Sequence, residues 1–129
     1  MERRLYFLIG DLVSNTGVGA AVALTVALCV NEAWPMSLGM VVGMLAGDVV
    51  ALPAAVGLSI LFGAMELMLP VMLSGMLTGM VVGMRAASGP VPPAAAAALG
   101  AALGLAALAA TYGLNAYVLA KYRREEARR

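Results

Sequence analysis

The sequence predicts an all-α, polytopic integral membrane protein: a four-transmembrane-helix bundle with short loops, formed by residues 1–129 as one domain. Three observations carry that expectation. Apolar residues make up 63% of the chain and charged residues 12%, against roughly half and a quarter in a soluble domain. The apolar residues fall in runs long enough to cross a bilayer, which takes roughly 20 helical residues. Lysine and arginine gather at the two ends of the chain, with Arg85 alone between them.

The first apolar stretch spans about residues 5–30 and follows Glu2, Arg3 and Arg4. A basic start before an apolar run also marks a secretory signal peptide. Asp11 and Asn15 interrupt what should then be uniformly apolar, and Leu28 stands before Cys29 where a lipoprotein cleavage site calls for a small residue. The stretch therefore reads as the first helix. Asn31 to Pro35 breaks it with polar residues, a proline and the only tryptophan, Trp34, a residue that favours the membrane–water boundary.

From Pro35 to Met84 only Asp48 and Glu66 interrupt the apolar run. One helix of that length would cross a bilayer more than twice, so two antiparallel helices are expected, about 35–56 and 64–84. The turn between them is expected near Gly57 to Gly63, where Gly57, Ser59 and Gly63 are turn residues and Pro53 lies just before. It must be tight, because lipid does not tolerate exposed backbone. The segment 85–93 holds Gly89, Pro90, Pro92 and Pro93 and is a loop. An alanine-rich fourth helix covers about 94–120, with Gly100 and Gly104 as its points of closest packing, and a charged tail covers 121–129.

An even number of helices puts Arg3, Arg4, Lys121, Arg123, Arg124, Arg128 and Arg129 on one side and Arg85 on the other. Positive charge accumulates on cytoplasmic loops. Both termini are therefore expected in the cytoplasm, with the chain integral to the inner (cytoplasmic) membrane. Tyr6, Phe7, Tyr117 and Tyr122 would form the inner aromatic belt and Trp34 would mark the outer one.

The second and third helices share a hexapeptide: Gly39-Met40-Val41-Val42-Gly43-Met44 recurs as Gly79-Met80-Val81-Val82-Gly83-Met84. Residues four apart lie on nearly one helix face. Gly39, Gly43 and Gly47, and Gly75, Gly79 and Gly83, thus form ridges that would let two backbones approach closely, within one chain or between two. Beside them run methionines: 36, 40 and 44 on one helix, and 68, 72, 76, 80 and 84 on the other. Flexible space-filling accounts for such side chains. Soft-metal binding is the sharper reading, because thioethers take Cu(I) and leave hard cations. In the antiparallel arrangement Met36, Met40, Met44, Met76, Met80 and Met84 would meet Cys29 in the outer leaflet. Methionines at i, i+4 beside a GxxxG helix are similar, in spacing alone, to the membrane domains of copper transporters. Those have three transmembrane segments and an extracellular amino terminus, which this chain does not share.

Charged side chains at membrane depth are costly and usually face a protein interior or a watery cavity. Asp11, Asn15, Asp48 and Glu66 form an acid cluster at similar depth on the inner half, joined by Ser14 and Asn115. Each also has a structural reading, as a protonated carboxyl or amide hydrogen-bonded to its neighbours or to backbone.

Other functions are excluded by what the chain lacks. It has no histidine, one cysteine, no nucleophile-with-base arrangement and no phosphate loop. An enzyme is therefore not expected; the net charge of +1 says nothing about nucleic acid, and no nucleic-acid partner is expected. Soft-metal (copper-class) binding or transport, with Cu(I) as the ion, explains the most specific pattern. The alternatives are a non-catalytic accessory subunit of a larger membrane complex and a proton or cation pathway built on the carboxylates. The expected partners are the lipid bilayer and either further copies of the chain or the other subunits of a complex.

Overall fold

The computed structural model describes residues 2–62 and 68–128, with side chains from 5–61 and 68–128. Four helices make up the fold: α1 (Glu2–Cys29), α2 (Met36–Phe62), α3 (Met68–Ala87) and α4 (Pro93–Glu126). Each is long and apolar enough to cross a membrane. The chain is thus an all-helical, four-helix-bundle membrane protein, as its composition and apolar runs predict.

Three helices end later than the sequence predicts: α2 at Phe62, α3 at Ala87, so that Arg85 to Ala87 are helical and not part of the loop, and α4 at Glu126. Gly57 and Ser59 do not turn the chain; α2 continues through them to Phe62. The Ser59 hydroxyl donates to the Val56 carbonyl at 2.9 Å, and Pro53 also lies inside the helix. In an apolar solvent an unsatisfied backbone group costs several kcal/mol, so residues that end helices in water are carried inside them. Gly63, expected in the turn, and Glu66, expected in the acid cluster, lie outside the described residues. α4 likewise runs on to Glu126 and includes most of the charged tail. Pro93 starts it at a position where the missing N–H is no loss.

The helices alternate in direction and pack as two close pairs, α2 with α3 and α1 with α4. α1 and α3 each touch the other three helices, whereas α2 and α4 take opposite corners. The core is accordingly built of small and β-branched residues. Val18, Val22, Ala23 and Val26 from α1, Ala51 and Ala55 from α2, Val71 and Val82 from α3, and Ala96 from α4 are all buried. Trp34, in the α1–α2 loop, packs against this core. The two short loops lie at one end of the bundle; the start of α1, the end of α2, the start of α3 and the end of α4 lie at the other.

Candidate functional site: the flanks of the glycine-packed pair

The α2–α3 contact is backbone against backbone. A methyl group added at Gly43 would run into the Gly79 carbonyl oxygen and lie 2.9 Å from the Gly83 Cα. Gly39 meets Gly83 and Gly47 meets Gly75 in the same way, so the six glycines face one another in three levels. A similar contact joins α1 to α4, where Gly19 meets Gly100 and the Asn15 carbonyl meets Gly104.

These glycines fix the direction of their neighbours. A step of one residue turns about 100° around a helix. In an antiparallel pair, the residue before each facing glycine swings to one flank on both helices, and the residue after it swings to the other. The flank before the glycines is covered by α1 and α4. Ser74, Thr78 and Val82 are fully buried there, and the Ser74 hydroxyl lies 3.2 Å from where a β-carbon on Gly104 would be. Ala46, Val50, Ala54 and Leu58 of α2 pack against the core on that same flank.

The residues after the glycines are Met40, Met44 and Asp48 on α2 and Met76, Met80 and Met84 on α3. They share the flank turned away from α1 and α4. At each level of this ladder Met40 stands beside Met84, Met44 beside Met80, and Asp48 beside Met76. Met40, Met44, Met80 and Met84 are half-buried, while Met36 is 57% and Met76 37% exposed. Cys29 is exposed at the loop end of α1, a helix on the opposite flank. Among the described residues no three His, Cys, Asp or Glu side chains come together. Any soft-metal site here would have to be built from thioethers.

The membrane-depth polar residues divide between the flanks. Asp11 and Asn15 sit one turn apart on α1, and the Asn15 side-chain amide donates to the Asp11 carbonyl at 2.9 Å. The Tyr112 hydroxyl of α4 donates to Asp11 Oδ2. Asn15 Oδ1, Ser74 Oγ and Thr78 Oγ1 are covered and have no hydrogen-bond partner among the described residues. Asp48 lies at comparable depth but on the methionine flank, so the structure does not bring it to Asp11. It is half-buried, with Oδ1 covered and unpartnered among the described residues.

Sequence reasoning missed three of these groups. Ser74 and Thr78 each precede a ridge glycine, a register that places them on the face opposite the methionines; that signal was present. Tyr112 offered none, because it meets Asp11 only through the α1–α4 pairing. No family model, no curated protein and no solved structure matches the chain. The fold and site define the class at the level of a four-helix membrane bundle with a glycine-sealed helix pair.

Proposed function

We propose that this chain is a non-catalytic membrane subunit that works as an assembly, pairing with a second copy of itself through the methionine flank of α2 and α3. The observation that carries this reading is Asp48. A carboxyl group at membrane depth costs several kcal/mol unless a polar partner or water meets it, and Asp48 Oδ1 is covered yet unpartnered among the described residues, on the flank turned away from α1 and α4. A two-fold axis along the bundle would bring Asp48 against its own copy at equal depth, so that each side chain meets a polar partner. Methionine suits such a seam, since its flexible side chain adapts to whatever faces it. Both termini in the cytoplasm, on the charge asymmetry described above, complete the proposal.

Co-expression of two differently tagged copies tests the pairing. Extraction in mild detergent should recover both tags together at twice the 13.1 kDa chain mass. Recovery of single chains from membranes where both copies are abundant would count against it.

One observation favours a second reading, soft-metal binding: the level pairing of Met40 with Met84 and of Met44 with Met80. Two thioethers at one level are a start on a Cu(I) site, and a second copy would double them. Metal content after purification without chelator, with Ag(I) as a Cu(I) mimic, decides between a bare seam and a loaded one.

A further inference from the structure

A cavity of about 430 Å³ lies on the other side of the bundle, between α3, the second half of α4 and the start of α1. This volume is within the roughly 300–1,000 Å³ of small-molecule sites. Its walls are apolar, with Leu73 and Leu108 among them, and its polar groups are Asp11, Thr111, Tyr112 and Asn115. Among the described residues no lysine or arginine lines it. Tyr112 lies nine residues before Lys121 on α4, about 13 Å along a helix at 1.5 Å per residue. Beyond Leu108 the side chains of α4 are exposed apart from the half-buried Thr111. The cavity therefore lies at the depth of the apolar part of the bundle.

We propose that this cavity binds a monovalent organic cation with an apolar body, the cationic head against the Asp11 carboxylate and the body against the leucine wall. The chemistry of the lining selects that class. Tyr112 donates to Oδ2, and no described hydrogen bond occupies Oδ1. The Thr111 hydroxyl is already committed to the Ala107 carbonyl at 2.8 Å. One carboxylate with an apolar wall offers too few oxygens for a hard metal cation, which takes six or more. An anion would meet the carboxylate with nothing to neutralise it. A neutral acyl chain would fill the volume but leave the charge uncompensated in a poorly hydrated place. A hydrophobic ammonium or phosphonium ion satisfies both parts of the site. The site belongs to a single chain, so it stands or falls independently of the pairing proposed above.

The test is equilibrium dialysis of the full-length protein in lipid nanodiscs, with tetraphenylphosphonium as probe and tetraphenylborate as the anion of matching shape. Saturable phosphonium binding is expected, with no saturable borate binding. Asp11→Asn should weaken the phosphonium at least about tenfold, the scale of one lost charged contact. Leu73→Trp, which narrows the cavity and leaves the carboxylate in place, should weaken it too and decides the matter where Asp11→Asn does not fold. Glu32→Gln, in the α1–α2 loop at the far end, should change nothing. Equal binding of both ions, or undiminished binding in Asp11→Asn, would show an apolar slot of the kind a lipid tail fills. Either result overturns the proposal, as does the absence of saturable phosphonium binding.

Discussion

The two flanks of the α2–α3 pair belong to the same helices at the same depth, yet they are built to different rules. On one flank Ser74, Thr78 and Val82 are sealed under α1 and α4, and the residues are small, so four helices close on one another. On the other, half-buried methionines and Asp48 stand beside the same glycine seam, turned away from α1 and α4. The sealed flank leaves hydroxyls unpartnered among the described residues, with close packing around them. The open flank carries a carboxylate, which is costlier than a hydroxyl, and surrounds it with adaptable side chains. The comparison teaches that polar character alone does not mark a working surface; polar character on a face the fold leaves uncovered does.

Breaking the seam between the flanks should have the largest effect. Gly79→Ile sets a branched side chain against the Gly43 backbone. Overpacking costs about 1–3 kcal/mol, and backbone has little room to yield, so thermal melting in detergent should fall well below wild type. Gly57→Ile, at a glycine with open space around it, should leave melting nearly unchanged. Equal effects from the two would remove the reason for having two distinct flanks.

A charge on the open flank comes next. Met44→Lys should disperse the paired chains, because like charges set face to face across an interface cost several kcal/mol. Val49→Lys, at a position 73% exposed on the back of α2, should leave pairing intact. Native mass in detergent reads both.

Substitutions that keep shape but change chemistry should act least on the fold. Met44→Leu with Met80→Leu conserves volume and should cost under about 1.5 kcal/mol, while abolishing Ag(I) binding if the ladder holds soft metal. On the sealed flank, Thr78→Val replaces a hydroxyl that has no partner among the described residues with a methyl group of the same shape. It should be neutral or stabilising by up to about 1 kcal/mol, since no hydrogen bond is lost. A marked loss of stability there would mean that the hydroxyl has a partner.

Much of this architecture is legible in the chain. Apolar runs define four helices because length and hydropathy are the only requirements a bilayer imposes, and the repeated hexapeptide announces two helices with matching ridges. The α2–α3 turn was misplaced because Gly57 and Ser59 signal a turn in water, and the helix passes through both. The methionine ladder could be read as a face, but its direction could not. Whether that face turns inward depends on which side α1 and α4 dock, and only the contact of Ser74 with Gly104 reveals it. For the same reason Asp11 and Asp48, which share a depth, could not be assigned to opposite sides. The Asp11–Tyr112 bond joins residues about a hundred positions apart, beyond the reach of any local pattern.

The most direct measurement of the central claim is photo-crosslinking in intact membranes with a benzophenone amino acid placed singly at Met80 or at Val49. The account predicts a covalent chain-to-chain product of twice the 13.1 kDa mass from position 80, and adducts to lipid alone from position 49. Lipid adducts alone from position 80 would contradict it: the methionine flank would then face the bilayer, and Asp48 would have no partner to meet.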